Sequence, residues 1–385
     1  MLGKIALVLF YLLSPAAVLW ACNKWKILGK IGPVLILYFL GIIVANLNLI
    51  PADCAGLQDT ISSIAIPLAL PMMLYSCDFK KFSVKTSLKI TIIGIIAVGI
   101  ATIVGFFAFR SGLGEEAAVI GGSIMGKCTG GTPNLAALKV MLGMENETFI
   151  LINSFDMVIC FLYLVMLMSV GIKQARKFLG RGIYATDQEV NLAEYTEKNP
   201  YKDFGKKESV KQLVKVTLLT LVIVAAAFGV ATYAKRFDEN IFTVVMILTL
   251  TTLALVFSLW QEVKSWDKSY DAGMYIIYIF SVVVASMANF RTMNYEGALY
   301  IVLFQIVVVF GSYLLTILGA KLFKVDGDTA VITSNTLINS PIFVPMIAAS
   351  MKNKDIIVVG VTIGLVGYAV GNYLGYLMYT FMNIL

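Results

Sequence analysis

The chain has 385 residues, 59% of them apolar and only 14% charged, with a formal net charge of +7 and no histidine, and its mean hydropathy is +0.86. A soluble globular chain of this length could not cover so much apolar surface, so water is not its main solvent. A histidine proton relay is excluded, nothing in the composition points to nucleic acid, and the five cysteines (Cys22, Cys54, Cys77, Cys128, Cys160) show no metal-ligand spacing.

Twelve apolar stretches approach the ~20 residues that span a hydrocarbon core. They run over 5–21, 32–50, 58–76, 88–110, 115–142, 148–172, 213–234, 240–260, 272–290, 296–322, 328–350 and 355–383. Stretches this long and continuous predict helices, because a membrane barrel would show alternating strands of about ten residues. The first is followed, not preceded, by its basic cluster of Lys24, Lys26 and Lys30, so it reads as a retained helix with its N-terminus outside.

The fifth stretch, GGSIMGKCTGGTPNLAAL, places Gly121, Gly122, Gly126, Gly130, Gly131 and Pro133 in the middle of an apolar run. Relative to alanine, glycine costs a helix about 1 kcal/mol and proline about 3, so the backbone is expected to open there. Opened backbone at membrane depth is tolerated only inside protein or along a wet cavity, where amides, carbonyls and half-helix ends become ligand groups. Thr129, Gly130, Gly131, Thr132 and Asn134 are therefore candidate substrate contacts. Lys127 stands at the same break, and a charge at the bilayer centre costs at least ~3 kcal/mol unless water or a partner meets it. Gly121, Gly126 and Lys127 also satisfy GxxxxGK, but Cys128 replaces the hydroxyl residue and no strand precedes, so ATP hydrolysis is not expected and the protein is not read as an enzyme.

The sixth stretch carries Asp156, in NSFDMVI, with Asn153 and Ser154 one turn or less away. A buried carboxylate can take a proton or coordinate sodium, so Asp156 with Asn153 is the candidate coupling-ion site, including a sodium ion near Asp156. The plainer alternative is a structural ion pair of Asp156 with Lys127. Lys139, nearer the end of its arm, is expected to snorkel. A polar connector over 173–209 follows and separates a first membrane repeat, 1–172, from a second, 210–385.

The eleventh stretch repeats the interruption as SNTLINSPIFVP, with amides and hydroxyls where the fifth has glycines. Asn335, Thr336, Asn339 and Ser340 are the matching candidates. Gln305, Asn289 and Asn372 are read as hydrogen-bond glue between helices, and Gly367, Gly371 and Gly375, four apart, as a face for close helix approach.

A shift of 208 residues lays the first half on the second and brings Thr132-Pro133 onto Ser340-Pro341. With twelve crossings the Lys and Arg residues divide 12 against 16, which gives no orientation. With the two interrupted stretches entering and returning on one side they divide 23 against 5, as the positive-inside rule expects. Leaving out the long connector's ten charges, 13 against 5 remains. Each half is then an odd, five-crossing unit with one broken or re-entrant helix, and the repeats are inverted.

The segments TGGTPNLAAL, AGMYIIYIFSVVVASMANF and GLVGYAVGNYLGYLM resemble the YjcL-like family of bacterial membrane proteins of unknown function, over nearly the whole chain. That family is grouped with the cation:proton antiporter and anion transporter superfamily. The resemblance implies an elevator-type carrier whose core holds both broken elements, with a site formed around Thr129–Asn134, Asp156 and Asn335–Pro341. Lys127 has no place in the family pattern, and Asn339-Ser340 stand where glycines are expected.

The expectation is an all-α polytopic protein of a bacterial inner membrane, an ion-coupled symporter of a small organic anion driven by sodium or protons. Its partners would be the lipid bilayer, the anion and, as an assembly, a second copy in a homodimer. A cation:proton antiporter using Asp156 is the alternative within transport, and a scaffold or signalling protein without transport the alternative outside it.

Overall fold

The computed structural model describes all residues except 1, 26, 27, 29–32, 48, 52, 53, 76–84, 181–200, 202, 238–240, 288–296 and 354. Much of the expected connector, together with Lys26, Lys30, Cys77, Asn289 and Arg291, lies outside the described residues.

The described residues form fifteen α-helices and no strand. In chain order they are α1 (Leu2–Lys24), α2 (Pro33–Asn46), α3 (Ala55–Leu74), α4 (Lys85–Leu113), α5 (Ala117–Leu142), α6 (Asn146–Met166) and α7 (Ile172–Leu179). The second half continues with α8 (Lys207–Ala234), α9 (Phe242–Phe257), α10 (Gln261–Lys264), α11 (Ser269–Ala285), α12 (Ala298–Leu322), α13 (Gly327–Asn339), α14 (Val344–Met351) and α15 (Ile356–Ile384). Seven helical runs are long and apolar enough to cross a membrane: α1, α3, α4 continuing into α5, α6 with α7, α8, α12 and α15. Three shorter apolar helices, α2, α9 and α11, accompany them. The chain is a membrane protein, and its helices satisfy their own backbone groups as a bilayer requires.

Two compact units are formed, and each draws on both halves of the sequence. The first comprises Met1–Ser76, Met144–Ser154 and Asn199–Glu296. Its centre is α11, which α2 and α3 approach closely: a Cβ at Gly41 would lie 2.6 Å from the Val282 carbonyl, and one at Gly273 2.8 Å from that of Ala69. A buried polar clasp ties α1 and α3 to the residue after α11. Gln58 donates to Tyr11 Oη and Ser286 Oγ, both at 2.9 Å, and those two hydroxyls lie 2.6 Å apart.

The second unit comprises Cys77–Gly143, Phe155–Lys198 and Gly297–Leu385. Here α4 lies along α12, with Gly112 against Tyr300 at one end and Gly319 against Ile93 at the other. A core of Ile90, Ile93, Ala320, Val325, Ala330, Leu337 and Ile363 joins this pair to α13 and α15.

Both interrupted stretches fold back on themselves inside this unit. A straight helix would set Leu138 about 18 Å along the axis from Gly126, yet a Cβ at Gly126 would overlap the Leu138 side chain. The reversal is at Gly131, whose φ of 71° and ψ of −170° interrupt α5. In the second stretch a Cβ at Gly360 would lie 2.8 Å from both Ile332 of α13 and Val344 of α14, so these arms also run side by side. Their reversal is at Ser340, with φ 81° and ψ 159°.

Candidate functional site

Helix α15 measures the depth of both hairpins. From its C-terminal end, Met382 meets Gly121, Gly375 meets Gly122 and Leu138, Gly371 meets Gly126 and Asn134, and Gly367 meets Thr129. From its N-terminal end, Gly360 meets Ile332 and Val344, and Gly364 meets Thr336 and Pro341. The hairpins therefore enter from opposite ends of the unit and meet tip to tip beside residues 364–368. A Cβ at Gly131 would lie 2.9 Å from Ser340 Oγ and 3.3 Å from the Tyr368 ring. The face of Gly367, Gly371 and Gly375 permits this packing, since a side chain on any of them would strike hairpin backbone or Asn134.

The charged centre stands one turn before the first tip. Lys127 is 4% exposed and Asp156 7%, and the ammonium donates to Asp156 Oδ1. It also donates to Cys160 Sγ and to the Ile338 carbonyl, both at 3.2 Å. An ammonium has three N–H donors, and three acceptors take them up. Ile338 lies in the last turn of α13, where carbonyls lack helical partners and the helix end is partially negative. Lys127 thus neutralises a carboxylate from α6 and a helix end from the opposite hairpin together. Cys160 follows Asp156 by one turn and has its Sγ 3.4 Å from Asp156 Oδ1.

The other sequence candidates fall into two groups. Some are engaged in holding the hairpins: Thr129 donates back to the Met125 and Gly126 carbonyls at 2.9 and 3.1 Å, and Asn134 Nδ2 donates to Tyr368 O at 3.2 Å. Gly130 is packed against Asn134 and the Gly367 carbonyl, and Thr132 and Ser340 are half-buried at the tips. The second group lies on the last turn and a half of α13. Asn339 Nδ2 donates to Asn335 Oδ1 at 3.1 Å. Asn335 Nδ2, Thr336 Oγ1 and Asn339 Oδ1 are buried there without a protein partner. A buried polar atom left unmade costs about 1–3 kcal/mol, so three within five residues mark a place where a ligand or water completes the bonding. Asn153 belongs to the first unit, while Asp156, on the same helix, belongs to the second.

Three features escaped the sequence reading. Ser123, one turn before Lys127, has a buried unpartnered hydroxyl, and Tyr163 Oη pairs with Ser334 Oγ at 2.8 Å. The third closes the mouth of the second hairpin. Arg176 of α7 grips Asp328 through Nε at 2.6 Å and Nη2 at 3.0 Å, and also donates to Met351 O at 2.7 Å. Asp328 is wholly buried and accepts a further bond from Asn353 Nδ2 at 3.2 Å. An Asp beside Gly327 at the head of an apolar run was the available signal.

The chain belongs to the family described as a protein of unknown function (DUF819), which it matches over residues 9–385. It is 22% identical over 369 residues to the uncharacterized membrane protein YjcL of Bacillus subtilis (strain 168), covering 92% of this chain and 91% of that protein.

Proposed function

We propose that this member of a family without assigned function is an ion-coupled secondary carrier of a bacterial inner membrane, binding a small organic anion where its two hairpin tips meet. The observation that carries the reading is the apposition of Gly131 and Ser340 beside buried amide and hydroxyl groups that lack protein partners. Broken elements that meet inside a helical bundle are where carriers place cargo, because only there can open backbone be satisfied at membrane depth.

Inverted repeats are supported helix by helix. The 208-residue shift brings α1 onto α8, α2 onto α9, α3 onto α11, α4 onto α12 and α6 onto α15. It brings Gly131 to position 339, next to Ser340, whose backbone has the same conformation. With α4 counted apart from α5, the seven long runs and three shorter apolar helices among the described residues supply ten crossings, leaving α5 and α13–α14 as re-entrant hairpins. The unit that carries both hairpins is then the moving element of an elevator and the other its scaffold. A superfamily placement among cation:proton antiporters and anion transporters accords with this architecture. The basic side is cytoplasmic: with Lys211→Cys or Lys264→Cys, an impermeant thiol reagent should label inside-out vesicles alone, and with Lys235→Cys intact cells alone.

The filled donor set of Lys127 gives coupling a concrete form. An incoming carboxylate reaches the ammonium by taking the place of Asp156, which then holds a proton or sodium. Uptake of labelled carboxylates into proteoliposomes, under a sodium or a proton gradient separately, tests this. The same ion pair favours one second reading, a cation:proton antiporter in which sodium and protons alternate at Asp156 and Lys127 balances its charge. Sodium-driven proton flux with no organic anion present would select that reading and sink the symporter.

A further inference from the structure

The end of α13 gathers its unpaired polar atoms on one side. At about 100° of turn per residue, Asn335 and Asn339 stand opposite Thr333 and Leu337, which pack on Gly94 of α4. Ser334 is taken by Tyr163 of α6, and the Thr336 methyl rests against Gly364 of α15. The two amides are joined by their inner atoms, Asn339 Nδ2 donating to Asn335 Oδ1 at 3.1 Å. Their outer atoms, Asn335 Nδ2 and Asn339 Oδ1, are buried with no partner among the described residues, and so is Thr336 Oγ1. Asn335 is 0% exposed, Thr336 2% and Asn339 6%, so bulk water does not serve them.

This face offers one amide donor, one amide acceptor and one hydroxyl. Reversing both amides exchanges their roles and again leaves one N–H2 and one C=O outward. A sodium ion would suit the two oxygens but meet the N–H2 with like charge. A carboxylate would accept from the N–H2 and the hydroxyl but set its negative charge against the carbonyl. A hydroxyl has a single oxygen, whereas the open amide atoms lie at the two outer ends of a side-chain pair. A carboxamide carries a donor nitrogen and an acceptor oxygen side by side and leaves none of the three unmet.

Charge is handled next door. Lys127 donates to the Ile338 carbonyl at 3.2 Å, and the Cα atoms of Ile338 and Asn339 are neighbours about 3.8 Å apart. One small molecule can therefore reach the ammonium and the amide face together.

We propose that the cargo is a short carboxylate bearing a carboxamide at its other end, with the carboxylate at Lys127 and the carboxamide on Asn335, Thr336 and Asn339. This assignment rests on the carrier reading above and adds selectivity to it: the ammonium attracts any carboxylate, and the amide face chooses among them. A site built to hydrogen-bond a polar group rejects the analogue that lacks it, because its own buried groups are then left unpaired.

The test uses the full-length protein in proteoliposomes, under a sodium and under a proton gradient. The probes are malonamate, succinamate and glutaramate, each beside the methyl ketone of the same shape (acetoacetate, levulinate, 5-oxohexanoate), the diacid and the hydroxy acid of equal length. At least one amide should bind and be taken up with an affinity roughly tenfold or more above that of its ketone, diacid and hydroxy acid, as the loss of one or two hydrogen bonds requires. Asn335→Leu with Asn339→Leu should lower the amide to the level of its ketone and leave the ketone unchanged. The comparison of probes on the unmodified protein decides the matter even where that variant does not fold. Amides and ketones handled alike would overturn the assignment, give the orphaned atoms to water and leave the carrier reading standing. A hydroxy acid as good as its amide, or an amide preference that survives in the double variant, would overturn it as well. Neither binding nor uptake of any of these anions would sink the anion-carrier reading together with it.

Discussion

Gly131 and Ser340 adopt the same backbone conformation, φ 71° with ψ −170° and φ 81° with ψ 159°, and face each other at the junction of two hairpins. One is a glycine, for which this region is open; the other carries a side chain there and is strained. Ser340 is held by its N–H bond to the Thr336 carbonyl at 3.1 Å and by the Phe343 N–H donating to its own carbonyl at 3.3 Å. Its hydroxyl is thereby presented at the junction.

Substitution at the two reversals should have opposite effects on stability. Gly131→Ala places a methyl 2.9 Å from Ser340 Oγ in a backbone conformation that disfavours it, and should cost roughly 1–3 kcal/mol, read as a lower melting temperature in detergent. Ser340→Gly relieves strain and should raise the melting temperature slightly. If the hydroxyl contacts cargo, the same variant should raise the KM for uptake. A Ser340→Gly protein with unaltered transport would remove Ser340 from the site.

The buried ion pair predicts a coupled pair of variants. Lys127→Met leaves Asp156 uncompensated and Asp156→Asn leaves Lys127 so, and breaking a buried pair from either side costs about 3–5 kcal/mol. The double variant should be more stable than the sum of the singles allows, with a coupling within the ~0.5–3 kcal/mol range of residues in contact. All three should lose ion-coupled transport. Full uptake by the stable double variant would make the pair structural only, and unchanged cellular function in every variant would favour a scaffold.

Thr336 separates ligand binding from packing. Its Oγ1 is buried without a protein partner, so Thr336→Val keeps shape and removes an unsatisfied group. Melting temperature should hold or rise. If cargo or a coupling ion completes that hydroxyl, apparent affinity should fall roughly fivefold to tenfold, matching a lost hydrogen bond of about 1–1.5 kcal/mol. A transport assay showing no change in affinity would assign the orphaned group to water.

Both reversals were readable because glycine and proline within an apolar run mark where a membrane helix has to open, and charge parity turned two kinks into two hairpins. The pairing of Lys127 with Asp156 was readable as an option, since each is costly alone in hydrocarbon. Its third partner was not, because the Ile338 acceptor is a backbone carbonyl and any residue supplies one. Arg176 was counted with the connector's solvated charges, and its grip on Asp328 spans 152 residues. The division into two units that each mix both halves of the chain follows from packing between segments far apart in sequence, which no local pattern encodes. The three unsatisfied polar atoms of α13 emerge only once their neighbours are placed.

The clamp of Arg176 on Asp328 should hold the mouth of the second hairpin shut. Asp328 is wholly buried and its carboxylate accepts from Arg176 and from Asn353, while Arg176 also binds Met351 O, so one guanidinium ties the first turn of α13 to the last of α14. Lysine cannot span this fork, because a point charge on a flexible stem lacks the planar bidentate geometry. Arg176→Lys should therefore lose a substantial part of the stabilisation. Arg176→Ala, which leaves the carboxylate with Asn353 alone, should cost about 3–5 kcal/mol. Adding Asp328→Asn to Arg176→Ala should recover much of that loss. Hydrogen exchange gives the local readout: amides of Val344–Met351 should exchange faster in Arg176→Ala while those of the first hairpin keep their protection. Uniform acceleration across both hairpins would show instead that the clamp stabilises the whole unit and not the mouth.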